Sequence, residues 1–200
     1  MFRVLGRGTS GNVQKVVWLL EELGQPYSRE DYGRQFGNTA DPAYLKLNPS
    51  GKVPTLVDGD VVVWESNTIL RYIANKVGTP LYPADPAGRS QVERWMDWLL
   101  ASLNGPYVAI FKESKKPENE RAPSFAADAK ELKGHLDLLN GAMAGRKFVA
   151  GGAMSLADIA LGPIVHRCLD FPVDVTGLDG LQAWRATMAA RPGFKKAVGG

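Results

Sequence analysis

Two stretches of this chain carry groups that could do chemistry. In residues 48–72, NPSGKVPTLVDGDVVVWESNTILRY, an X-Pro pair, Val53-Pro54, is followed by an acid and a hydroxyl, Glu65-Ser66, at the start of a helical pattern. The first backbone N–H groups of a helix have no partner within it and attract an anion such as a carboxylate. A short strand beside them offers its backbone to an extended ligand. Together they suit a small extended peptide with a free carboxylate. In residues 6–12, GRGTSGN, the hydroxyls of Thr9 and Ser10 and the amide of Asn12 lie where a strand pattern gives way to a helix. That run also fits G-x-G-x-x-G, and Glu30 and Asp31 follow about 20 residues on, as in a dinucleotide site. It lacks the Lys-Ser/Thr pair of a phosphate-binding P-loop, since Asn12-Val13 follow Gly11.

The surrounding elements decide between these possibilities. Residues 2–5 are a short apolar strand. Residues 12–23 read as a helix with Val13, Val16, Val17, Leu20 and Leu23 on one side, Gln14, Lys15, Glu21 and Glu22 elsewhere, and Gly24 as the stop. A second strand over 26–31 completes a βαβ opening. Residues 33–38 read as a loop and 42–47 as a short irregular helix. Residues 53–57 then form a strand opened by Pro54, which has no N–H to give and so suits a strand's first position. Asp58-Gly59 turns the chain into a returning strand over 61–64. Ser66 is the expected N-cap of a helix carrying Ile69, Leu70, Ile73 and Val77. A dinucleotide fold needs further alternating βα units. After this hairpin and helix the pattern is almost wholly helical, which disfavours the nucleotide reading.

Residues 78–88, GTPLYPADPAG, read as an interdomain linker. Residues 89–113 form one long helical pattern with a kink expected at Gly105-Pro106. A polar loop and a second helix over 124–143 follow. Ser155 and Asp158 have the spacing of a reciprocal N-terminal cap, with Met154 and Ile159 placed to staple across it. Short helices over 178–190 and 194–198 end the pattern.

Composition sets outer bounds. Two hundred residues, 44% of them hydrophobic, can bury a substantial core in one or two domains. No apolar run reaches the roughly 18 residues of a membrane span, and the opening residues MFRVLGRG do not read as a secretory leader. Cys168 is the single cysteine, so no intrachain disulfide is expected and a reducing cytoplasm is the simplest compartment. With only His135 and His166 beside it, no metal-ligand spacing stands out. The net charge of +3 is scattered, and the densest basic run, KESKK at 112–116, reads as a solvated helix end, so no nucleic-acid partner is expected.

The run NP-x-G-x-VP, then D-G, then E-S and a helix, resembles the second half of the thioredoxin-like domain of the cytosolic glutathione transferases. The resemblance continues over nearly the whole chain and is nearest the serine-using branches, bacterial-like and similar to the theta and phi classes. It implies an α/β thioredoxin-like domain at 1–78, a linker at 79–86 and an all-helical domain at 87–200. It further implies a cytoplasmic, detoxifying homodimer that uses glutathione as co-substrate and no metal. In such a family Val53 pairs its backbone with the cysteinyl unit of glutathione across a cis Val53-Pro54 bond. Glu65 contacts the γ-glutamyl amine, Ser66 and its helix N-terminus hold the γ-glutamyl carboxylate, and Lys52 reaches the glycyl or cysteinyl side.

The family's serine stands five residues before a basic residue and valine, as Ser10 stands before Lys15-Val16. Thr9 and Asn12 are rivals, and Ser10 could instead cap the helix. The energetics permit a hydroxyl to suffice. Moving a thiol from ~8.5 to ~6.5 needs ~2.7 kcal/mol of preference for the thiolate. A hydrogen bond to a charged acceptor supplies ~1.5–3 kcal/mol, and a helix N-terminus ~0.3–1 kcal/mol. The second substrate is expected to be a small hydrophobic electrophile in an apolar cleft between the domains. Tyr107 and Phe111 share a helix face and are candidate walls or core residues. The expected reaction is conjugation. A glutathione-dependent peroxidase or isomerase, or a non-catalytic binding module, is the alternative on the same fold.

Overall fold

The computed structural model describes residues 1–199. Their contacts divide the chain into two compact units, one of residues 1–83 together with the chain from Ala189 onward, the other of residues 84–188.

The first unit is built on a four-stranded sheet in the order β2-β1-β3-β4, with β1 at Phe2–Leu5, β2 at Tyr27–Glu30, β3 at Thr55–Asp58 and β4 at Val61–Trp64. β1 runs parallel to β2 and antiparallel to β3. A sheet that reverses direction after one βα unit is not a doubly wound nucleotide fold. The β3–β4 hairpin closes at Gly59, whose φ of 61° a glycine adopts without penalty. Helices α1 (Gly11–Glu22) and α3 (Ser66–Val77) pack together, and Val4, Leu5, Val13, Val16, Leu56, Ile69, Leu70 and Ile73 are fully buried. A regular helix, α2 (Pro42–Leu47), precedes the NPSG turn.

Two boundaries differ from the sequence reading. The third strand starts at Thr55, not Val53, so Val53 and Pro54 lie just outside the ladder. Ser66 is the first residue of α3, and the N-cap is Glu65. The expected one-sided α1 is also corrected. Gln14 and Lys15 are as buried as the valines around them. Gln14 borders a hollow shared with Lys196 and Ala197 of a helix at the far end of the chain, α9 (Pro192–Val198), which packs on α1. Phe194 meets Trp18 edge-on at 4.9 Å, Arg191 grips Glu22 with two bonds of 2.8 and 2.6 Å, and Lys196 pairs with Glu21 at 2.7 Å.

The second unit is helical: α4 (Pro86–Trp98), α5 (Asn104–Glu113), α6 (Phe125–Ala142), α7 (Leu156–Cys168) and α8 (Asp179–Ala189). The kink expected at Gly105-Pro106 takes the form of a π turn over Leu99–Leu103, in which the Asn104 N–H donates to the Leu99 carbonyl. Pro106 has no N–H for the carbonyl four residues before it, and a wider turn upstream absorbs the mismatch. The Ser155–Asp158 cap is present. Asp158 Oδ2 accepts from the Ser155 N–H at 2.9 Å, and Ser155 Oγ accepts from the Ala157 N–H at 3.2 Å. Asp158 Oδ1 goes further, accepting from the Val149 N–H and from the Trp184 indole, both at 2.9 Å. One carboxylate thus joins the start of α7, the loop before it and α8. Cys168 is buried, and burial pushes its thiol up, which fits packing and not nucleophilic chemistry.

Candidate active site

Ser10, Val53 and Glu65-Ser66 all lie in the first unit, where Gly6 meets Val53 and Asn12 meets Ser66. Gly6 is the hinge of this assembly. A β-carbon there would sit 2.5 Å from Val13 and 3.1 Å from Val53, so only glycine lets the turn after β1 lie against Val53. Gly33 also lies near Val53, where a β-carbon would be 3.5 Å away. The Val53-Pro54 bond is cis.

The Lys52-Val53 backbone is held by a network that sequence reasoning missed. The Tyr44 hydroxyl and the Asn48 amide both donate to the Lys52 carbonyl, at 2.6 and 2.9 Å, and both lie within 3.0 Å of the Thr55 hydroxyl. Tyr44, Asn48 and Thr55 are all buried. In the sequence these three polar residues bracket the Pro49 turn, but only the fold buries them together. Lys52's own side chain is exposed, so it is free to move towards a ligand while its carbonyl stays fixed.

Ser10 is the N-cap of α1 by backbone position, yet its hydroxyl makes no capping hydrogen bond. It is 8% exposed. Its rivals differ from it. Thr9 is exposed. Asn12 Oδ1 accepts from the Ser66 hydroxyl at 3.3 Å, and so ties the first turn of α1 to the first turn of α3. Glu65 holds φ at 68°, a conformation that costs a non-glycine residue roughly 1–3 kcal/mol and collects at ligand sites. The result is that Ser66 begins α3 with its N–H at the open end while the Glu65 side chain stays exposed.

Lys15 lies beneath this corner, 1% exposed. Burial pushes its ammonium down to about 7, against the opposing pull of the Glu65 carboxylate. The fall from the ordinary 10.5 corresponds to on the order of 4–5 kcal/mol. The unfolded chain keeps its proton up to 10.5 and the folded chain releases it near 7, so folding is penalised most below pH 7 and the penalty fades as the pH rises. Lys15→Met is therefore expected to stabilise the protein at neutral pH by ~1–4 kcal/mol. Its advantage over wild type should shrink in urea unfolding at about pH 9.5.

Tyr107 and Phe111 lie in α5 of the second unit. Tyr107 is buried and Phe111 is partly exposed. Their rings stack at 5.9 Å, and Phe171, which sequence reasoning did not single out, stacks on Tyr107 at the same distance. Among the described residues no group of three or more His, Cys, Asp or Glu could hold a metal ion, and no helix is long and apolar enough to cross a membrane.

Comparison with known proteins shows the family. Residues 2–75 match the family model of the glutathione S-transferase N-terminal domain, and residues 87–192 that of the C-terminal domain. The chain is 34% identical to glutathione S-transferase GstB of Escherichia coli, covering 99% of this chain and 98% of that one. It is 33% identical to glutathione S-transferase 3 of Zea mays, over 98% and 92% of the two chains. The crystal structure of the theta class glutathione S-transferase of Xanthomonas axonopodis pv. citri, with glutathione bound, superposes with a TM-score of 0.93 at 37% identity, covering 98% and 96%. A mixed four-stranded sheet followed by a helical unit, with both family models matched in order, places this chain in the glutathione S-transferase family.

Proposed function

We propose that the protein conjugates the glutathione thiolate to small hydrophobic electrophiles. The observation that carries this is the Ser10 hydroxyl, at the start of α1 but unused as a cap, in the same unit as the Val53 and Ser66 backbone groups. In this reading Val53 pairs with the cysteinyl unit and Lys52 takes the glycyl side. Glu65 meets the γ-glutamyl ammonium, and Ser66 with the α3 N-terminus takes the γ-glutamyl carboxylate. The ligand's thiol then faces Ser10, which donates to the thiolate and holds it ionised. The thiolate attacks an electrophilic carbon, a C–S bond forms, and the leaving group departs with its electron pair. Tyr107 and Phe111 supply an apolar wall for the electrophile.

We take the working form to be a cytoplasmic homodimer with a detoxifying role, as the family resemblance implies. The apolar surface of Trp98 and of Leu138, 52% exposed, between Arg94 and Arg146 supports self-association.

Calorimetric titration of glutathione, with the ultraviolet absorbance of the bound thiolate followed against pH, tests the reading. Binding with thiolate formed well below pH 8.5, and conjugation of chlorodinitrobenzene, is the expected result. Binding without thiolate formation would instead mark a ligand-holding module. Thiolate formation with turnover of peroxides alone would mark a peroxidase.

A further inference from the structure

The glycine run at 6–11 and the acids at 30–31, which together resemble a dinucleotide site in the sequence, serve a different pairing in the fold. Glu30 is taken by Arg3, with bonds of 2.7 and 3.1 Å. Asp31 is taken by Arg29. Arg29 lies on β2, an edge strand of the sheet, and its guanidinium reaches the turn that follows β1. The nitrogen that donates to Asp31 also donates to the Gly6 carbonyl, at 3.0 Å. A β-carbon at Gly8 would be 3.8 Å from the Arg29 Nε and Cζ, so the guanidinium lies against Gly8 at ordinary contact. One cation thus spans the glycines on either side of position 7. The turn has need of a brace. Glycine at 6 and 8 leaves its backbone many conformations to choose from. Main-chain bonds tie it at points: the Gly6 N–H donates to the Glu30 carbonyl at 2.8 Å, and the Ser10 N–H to the Arg7 carbonyl at 3.1 Å. The Ser10 hydroxyl makes no capping bond that would fix its own aim. A hollow of about 250 Å³, bordered by Gly8, Val13, Val17 and Arg29 among others, gives the turn room to shift.

We infer, on the basis of the role proposed for Ser10, that Arg29 is a positioning residue for thiolate formation: its grip on the Gly6 carbonyl fixes the turn from which the Ser10 hydroxyl is aimed. Arg29 acts through Ser10, and Asp31 holds the guanidinium in place. A bond from a cation to a carbonyl is stronger than one between neutral groups, which suits a brace on a soft turn. As a surface ion pair alone, Arg29–Asp31 would add little to stability. Its value lies in geometry. A hydroxyl bond weakens over a fraction of an ångström, so a loosened turn forfeits part of the preference for the thiolate.

The test is a double-mutant cycle read by the pH midpoint of thiolate formation on bound glutathione, followed by ultraviolet absorbance at saturating glutathione. With Ser10 present, Arg29→Met should raise the midpoint by about 0.5–1 pH unit, a roughly three- to tenfold loss of thiolate at a pH below both midpoints. In the Ser10→Ala background it should raise it by less than about 0.2 unit, because no hydroxyl is left to aim. A midpoint that stays put in Arg29→Met, whatever happens to Tm, would overturn the assignment by showing a structural role alone. Equal shifts in the two backgrounds would overturn it as well, by showing that the cation acts on the thiolate without Ser10. If Arg29→Met does not fold, Asp31→Asn carries the test, since it releases the guanidinium without removing it. The midpoint should then rise with Ser10 present and not in Ser10→Ala, and an unmoved midpoint would overturn the inference. If Ser10→Ala alone leaves the midpoint where it was, it is the role proposed for Ser10 that fails, and the inference resting on it fails too.

Discussion

Ser10→Ala is expected to move the pH midpoint of thiolate formation on bound glutathione upwards by about 1–2 pH units. At pH 6.5, near the wild-type midpoint, the thiolate fraction and so kcat/KM should fall roughly 5- to 50-fold. The effect should shrink towards alkaline pH, where the thiol ionises without help. Glutathione affinity itself should change little, because the contacts proposed for Val53, Glu65 and Ser66 are untouched. The variant should also fold normally, since the hydroxyl makes no capping bond to lose. These outcomes separate a chemical role from a capping one. A helix cap removed would cost ~0.5–2 kcal/mol of stability and leave the pH–rate profile alone. A stable variant with an unmoved profile would shift the assignment to Thr9 or Asn12.

Asp158→Ala should be the most damaging single change to folding. The carboxylate is fully buried, and burial pushes its proton affinity up while donors from Val149, Trp184 and Ser155 pull it down. Alanine would strand the Val149 and Ser155 N–H groups and the Trp184 indole together. An orphaned buried donor costs ~1–3 kcal/mol, and with partial relaxation the loss should be roughly 3–5 kcal/mol. For a chain of this size that is a fall in Tm of about 6–20 °C. Thermal unfolding followed by circular dichroism would show it. A shift of no more than 2–3 °C would mean that the carboxylate acts only as a helix cap.

Much of this was legible because local chemistry and tertiary role coincide. Glu65-Ser66 reads as a helix start from residue type alone, and it is one, displaced by a single position because Glu65 takes a positive φ that no side-chain preference announces. Ser155-x-x-Asp158 reads as a cap and forms one, but the indole of Trp184 that completes it lies 26 residues away in sequence. The same limit hid the Tyr44–Asn48–Thr55 network, whose purpose is to hold a carbonyl that has no sequence signature. Lys15 was the clearest miss. A lysine beside a glutamine on an amphipathic helix signals solvent. In the fold it is 1% exposed and lies near Glu65, a residue far along the chain. Charge pattern predicts exposure where nothing comes back to cover it, and that is a property of the whole chain.

The return of α9 also bears on how the protein is made. Trp18 and Glu22 leave the ribosome early, while the Phe194 ring and Arg191 guanidinium that enclose them come last. About a hundred residues separate the first 83 from the segment that completes their unit. At ~5–20 residues per second, that is a delay of roughly 5–20 s. For that interval the side of α1 that α9 covers is bare, with the Trp18 indole open to water. The first unit is thus begun first and finished last, and any factor that shields α1 during synthesis would act within this window.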